Sequence, residues 1–240
     1  MYRFIIIAIA VLLPTQLFGM HIAEGYLPAQ WAIGWAAMFL PFLFFGVRKI
    51  KSISEKEPKA KMLFAVVGAF VFVLSSIKLP SLGGSSSHLT GIALGAILFG
   101  ASSMSIIGLI VLLFQALLLA HGGITTLGAN AFSMAVVGSV VAIIVYRTLK
   151  AAKISSNVSV FITAFVSDIA IYMCTSAQLA LAFQSSEASF GSNFLKFISV
   201  FAVTQIPLAV IEGLLTVLIF NLIVKYNSNE IAIINPSLKV

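Results

Sequence analysis

The sequence predicts an all-α, polytopic membrane protein with about seven transmembrane helices left after removal of an N-terminal leader. Two observations carry this fold class. Hydrophobic residues make up 60% of 240 positions and charged residues only 9%, with a mean hydropathy of +1.12, more apolar surface than a soluble core of this size can hide. The apolar stretches are also long and continuous rather than alternating, which favours helices over barrel strands.

Taken in order, residues 1–19 read as a secretory signal peptide. Arg3 supplies the positive start, residues 4–13 an apolar run, and residues 14–19 a more polar segment ending in Gly19, so cleavage is expected before Met20. The run is shorter than the roughly 20 residues of a membrane span. Residues 20–240 then form a single transmembrane domain. Spans are expected near 30–47, 62–80, 90–101, 104–120, 128–147, 157–183 and 194–225. The third is too short to cross about 30 Å of hydrocarbon and must be enclosed by its neighbours.

Charge sets the orientation. Of 14 Lys and Arg residues, six lie in 48–61, three in 147–153, and Lys225 and Lys239 near the C-terminus. The positive-inside rule puts these clusters and the C-terminus in the cytoplasm and the mature N-terminus outside, across the cytoplasmic membrane. The net charge of +7 is thus an orientation signal, and no nucleic-acid partner is indicated. Cys174, the single cysteine, excludes an intramolecular disulfide.

The three histidines all fall at the outer ends of these spans. Cleavage before Met20 would free an amine that, with the His21 backbone nitrogen and imidazole, closes fused chelate rings on one metal ion. Such a nitrogen set suits Ni(II), Cu(II) or a similar late divalent ion rather than Mg or Ca. His88, in the Gly- and Ser-rich stretch 82–91 before the third span, is the natural fourth nitrogen; the plain alternative is a solvated loop histidine. His121 is expected to cap a helix C-terminus or to orient a ligand rather than bind metal directly, with Asn130 and Ser133 in the same polar network. Glu24 could orient His21 or the amine, or cap the first helix. Asp168 and Glu212 lie within spans, where a carboxylate usually faces a cavity or a partner; Glu212 is expected to make a buried hydrogen bond near a Pro207 kink.

Met20-His-Ile-Ala-Glu-Gly-Tyr-Leu-Pro28, Gly84-Ser-Ser-Ser-His-Leu-Thr-Gly91 with Gly95-Ala-Ile-Leu-Phe-Gly100, His121-Gly-Gly-Ile-Thr-Thr-Leu-Gly-Ala-Asn130-Ala-Phe-Ser-Met134 and Pro207-Leu-Ala-Val-Ile-Glu-Gly213 resemble the CbiM/NikM family, the metal-capturing membrane (S) components of cobalt and nickel energy-coupling-factor (ECF) ABC transporters. The resemblance implies a seven-helix domain. It also implies metal ligation by the amine of Met20, the backbone and side chain of His21, and His88. The implied partners are a transmembrane coupling subunit, two ABC ATPase subunits and a small accessory membrane protein. Leu89 and Ala101 stand where the family often has proline.

No Gly-x-x-x-x-Gly-Lys-Ser/Thr loop occurs, so the chain is not expected to hydrolyse ATP or to be an enzyme. The resemblance leans towards Co2+ uptake for cobalamin biosynthesis, whereas an all-nitrogen planar set favours Ni2+ by simple affinity. A different class, a proton-coupled secondary metal transporter, would use Asp168 and Glu212 as its relay. A metalloenzyme finds no supporting cluster such as HExxH.

Overall fold

The computed structural model describes residues 21–80, 86–184 and 189–238. The proposed leader, residues 1–19, and Met20 lie outside the described residues. Seven helices follow the expected spans in order: α1 (Ala29–Lys56), α2 (Ala60–Ser76), α3 (Ile92–Phe99), α4 (Ala101–Leu119), α5 (Leu127–Ala151), α6 (Ser156–Ala182) and α7 (Phe190–Tyr226). A short α8 (Ser228–Ile234) and a 3-10 turn (Pro236–Leu238) close the described chain. Among the described residues, five of these helices are long and apolar enough to cross a membrane.

α1 starts directly after Pro28, whose carbonyl accepts from Trp31 and Ala32. Its buried residues are Ala32, Phe39, Gly46 and Ile53, one every seventh position. That narrow seam packs on α4 and α5 while the remaining faces stay apolar and open to lipid. Two small-residue contacts let the backbones approach. A methyl at Gly128 of α5 would stand 2.5 Å from Ala36 Cα, and one at Gly46 would stand 2.5 Å from the Ser102 carbonyl.

α2 stops at Ser76, four residues short of the expected 62–80 span. Ser75 and Ser76 turn their hydroxyls back onto the Val71 and Phe72 carbonyls, and Pro80 disfavours helix in the residue before it. The chain instead enters β1 (Lys78–Pro80), which pairs antiparallel with β2 (Ser86–His88) so that Lys78 faces His88. All eight residues of α3 are buried. At about 1.5 Å per residue it covers only about 12 Å, and it sits inside the bundle against α4, α5 and α6. Left-handed Gly91 and Gly100 (φ +69° and +88°) bracket it, a conformation open to glycine at little cost.

α5 is not uniform. Its turn Phe132–Gly138 is a π-helix, where Ser167 of α6 donates to the Gly138 carbonyl at 2.8 Å. At the basic end of the bundle, Lys59 pairs with Glu230 at 3.6 Å and Asn235 donates to Ile97, so the C-terminal segment folds under α2 and α3. The segment before α1, the β1–β2 hairpin and the α4–α5 connection all lie at the other end.

Candidate metal-binding site

At that other end the three histidines converge. The His21 ring centroid lies 4.4 Å from that of His88 and 4.6 Å from that of His121, and His88 and His121 are 5.0 Å apart. One nitrogen from each ring falls within 4.8 Å of the others, the one such cluster among the described residues. Imidazole–metal bonds of about 2.0–2.1 Å place nitrogens sharing one ion no more than about 4.2 Å apart. A small inward rotation of the rings therefore suffices.

Each ring is placed by a different element. His21 is set by α5 and the loop before it. The Asn130 side chain accepts from Ile22 N at 2.8 Å and donates to Ile22 O at 3.0 Å, gripping the backbone as a β-partner would. Thr126 donates to the same carbonyl at 2.7 Å, and Ile22 packs with Leu27, Ala129 and Leu179. Gly122 (φ +74°) lies so close to His21 that a methyl there would stand 3.4 Å from His21 Cβ.

His88 is set by α7. Gln205 donates to the His88 carbonyl at 3.1 Å and to Asp168 at 2.6 Å. Glu212 accepts from the Thr90 backbone, from the Thr90 hydroxyl at 2.7 Å and from Gly91 N at 2.9 Å. Glu212 thus anchors the loop that follows His88. Between the imidazole and the Leu89 carbonyl, only the carbonyl is restricted to accepting, so His88 Nδ1 carries the proton it donates at 2.8 Å and Nε2 keeps its lone pair. His121 follows left-handed Ala120 (φ +47°), and its N–H closes onto the Gln115 carbonyl at 3.1 Å.

All three rings are buried, and Nε2 of each has no hydrogen-bond partner. Burial, reinforced by the neighbouring rings and Lys78, holds the His21 pKa well below its usual value. Burial likewise brings His88 down to about 4, even though its bond to Leu89 acts the other way, and His121 down to about 2. The imidazoles are therefore neutral at neutral pH, with lone pairs free for a cation.

Ser133 donates to the Asn130 carbonyl and so joins the Asn130 network. Glu24 neither reaches His21 nor caps α1; its exposed carboxylate accepts from Thr125 N at 3.1 Å, and bonds from Thr125 hold its pKa down. No side chain caps α1; the Pro28 carbonyl accepts from Trp31 and Ala32 in its first turn. Gln115, Thr126 and Gln205 were not anticipated. Gln115 did leave a trace, as the lone amide in the apolar run 106–119.

The profile described as CbiM, cobalt uptake substrate-specific transmembrane region, matches residues 21–230. The chain belongs to the CbiM family. Within the family, the cobalt transport protein CbiM of Anoxybacillus flavithermus is 53% identical over 222 residues, covering 92% of this chain and 89% of the relative. That of Streptococcus sanguinis is 56% identical over 204 residues, covering 85% and 84%. The fold of this CbiM-family chain also matches two crystal structures. One, of a truncated transition metal transporter, gives a TM-score of 0.77 at 27% identity, covering 86% of this chain and 99% of the other. The second, of a transition metal transporter, gives 0.77 at 26% identity, covering 91% and 98%.

Proposed function

We propose that this chain is the metal-capturing membrane component of an ECF-type importer that takes up Co2+. The observation that carries this reading is the meeting of three neutral imidazoles, each with an Nε2 that has no hydrogen-bond partner, at one end of a cobalt-uptake family fold, opposite the basic clusters. By the positive-inside rule that end faces outward, with the mature N-terminus outside and the C-terminus in the cytoplasm.

Removal of residues 1–19 frees the Met20 amine beside the pinned Ile22 backbone. The ion is then held by that amine, the His21 backbone nitrogen, His21 Nδ1 and His88 Nε2. His121 lies against both rings and shapes the pocket. Binding expels protons from the amine and the amide, so capture weakens as pH falls. A transmembrane coupling subunit, two ABC ATPases and a small accessory membrane protein supply the energy, since this chain has no phosphate-binding loop. Ni2+ is the competing cargo, because it outranks Co2+ on nitrogen ligands. Glu212 is engaged by three donors, which supports an anchoring role over a proton relay shared with Asp168.

The test is N-terminal sequencing of the purified protein followed by Co2+ and Ni2+ titration of the same sample. Tight binding is expected only with Met20 at the N-terminus, and one residue added ahead of it should abolish binding with the fold intact. Binding that survives the extension overturns the amine ligand. Metal uptake into liposomes by the chain alone, driven by a proton gradient, would instead establish secondary transport.

A further inference from the structure

Gln115 lies deep in α4, wholly buried among apolar side chains, and its amide orientation can be derived. The Ser75 hydroxyl donates to the Val71 carbonyl, which can only accept. The Ser75 oxygen is then the acceptor for Gln115 Nε2, 2.6 Å away. With its nitrogen committed to α2, Gln115 must turn Oε1 the other way. That oxygen is buried and has no partner. The His21 ring lies at this end of α4: the N–H of His121 closes onto the Gln115 carbonyl at 3.1 Å, the His121 ring centroid is 4.6 Å from that of His21, and His21 Nε2 is also buried with no partner. An orphaned acceptor and an orphaned ring nitrogen in neighbouring buried groups are costly apart and complementary together.

We propose that Gln115 is the positioning residue that fixes the His21 tautomer: its Oε1 receives the Nε2–H proton, which leaves the Nδ1 lone pair for the metal. This rests on the chelate reading above, because only Nδ1 can close a ring with the backbone nitrogen of the same residue. The relay runs from the Val71 carbonyl through Ser75 and Gln115 to His21, with no freedom to reverse. His88 has the mirror arrangement, Nδ1–H on the Leu89 carbonyl and Nε2 free. The two rings are thereby held in opposite tautomers, each presenting its lone pair to one ion. Gln115 also receives the His121 N–H on its backbone carbonyl, so one residue of α4 fixes both the ring of His21 and the entry of the His121 loop. Partners of this kind orient ligating histidines and set their basicity.

The experiment uses the full mature chain in detergent, with 15N-labelled histidine and no metal. Imidazole 15N shifts report the tautomer of His21, assigned by comparison with His21→Ala, and Co2+ titration reports affinity. The wild type is expected to show His21 as the Nε2–H form. Gln115→Met removes the acceptor at similar volume and should mix the tautomers and weaken Co2+ binding by about 10–100-fold. Gln115→Glu, which keeps an acceptor, should restore the Nε2–H form and most of the affinity. Should both variants fail to fold, Ser75→Ala decides, since it frees the amide to flip and should mix the tautomers. An unchanged Nε2–H population in Gln115→Met, or in Ser75→Ala where that variant decides, overturns the inference. If wild-type protein shows the Nε2–H tautomer and binds no metal, the proposed function fails while the tautomer assignment stands.

Discussion

At the scale of single residues, Asn130 spends both ends of its amide on the backbone of one residue. It accepts from Ile22 N and donates to Ile22 O, which delivers His21 to the pocket. Truncation leaves the buried Ile22 N–H without a partner, at a cost of about 1–3 kcal/mol, while the Ile22 carbonyl keeps its bond from Thr126. Asn130→Ala is expected to lower the thermal midpoint and to weaken Co2+ binding by an order of magnitude or more. Asn130→Asp, which can accept from Ile22 N but not donate to Ile22 O, should fall between; calorimetry and metal titration read both. The histidines add a pH dependence. In the fold, His88 is held to about 4 and His121 to about 2, whereas in the unfolded chain each titrates near 6.5. The unfolded state therefore binds more protons below pH 6.5, so stability is complete above that value and is lost as pH falls towards the folded values, by up to about 1.4 kcal/mol per pH unit for each ring. Thermal midpoints of the metal-free protein should be flat from pH 8 to 7 and decline from 6.5 to 5. Replacing His121 by Phe, which cannot charge, should reduce the slope.

At the scale of elements, α1 is coupled to the site through its N-terminus, since only residues 22–28 separate it from His21. The two close approaches along its seam make separable tests. Gly128→Val forces α1 away from α5 beside the Ile22 anchor and should cost both stability and metal affinity. Gly46→Val acts near the basic end, against Ser102, and should cost stability while leaving the affinity of the folded fraction within about threefold, because distant sites couple weakly. Thermal unfolding and Co2+ titration of both variants check this. The helices themselves were legible because each is a long apolar run bounded by Pro28, by Lys- and Arg-rich turns or by glycines. The strands at 78–80 and 86–88 were not, since such short segments have little strand propensity of their own and β2 is held at His88 by Gln205 of distant α7, with Glu212 holding Thr90 and Gly91 just beyond it. The π-turn at Phe132–Gly138 was equally hidden, because it depends on Ser167 and on the close contact of Gly138 with α6. For the same reason the sequence leaves His121 as a helix cap or a residue that orients a ligand: its approach to His21 depends on Gly122 and Gln115 rather than on any local spacing.

At the scale of the whole molecule, a chain of net charge +7 is asked to attract a dication. Most of the positive charge does not oppose this, because the clusters at 48–61 and 147–153 lie at the far end, across about 30 Å of hydrocarbon, where electrolyte on their own side screens them. Lys78 is the cation whose charge reaches the site. It pairs in register with His88 on the hairpin, and its charge acts on all three rings, lowering the pKa of each. A cation that disfavours a proton on those nitrogens must also disfavour Co2+ there. Because Lys78 is exposed and screened by solvent, the effect is modest, about 1 kcal/mol at most. Lys78→Gln is therefore expected to raise Co2+ affinity by roughly two- to fivefold at low ionic strength. The gain should shrink towards nothing in 1 M salt, where the Debye length falls to about 3 Å. Titrations of both proteins across a salt series separate this from a change in pocket shape: a gain that persists at high salt would mean that the substitution remodelled the hairpin, whereas one that fades identifies Lys78 as an electrostatic brake that lowers affinity and so eases release of the captured ion.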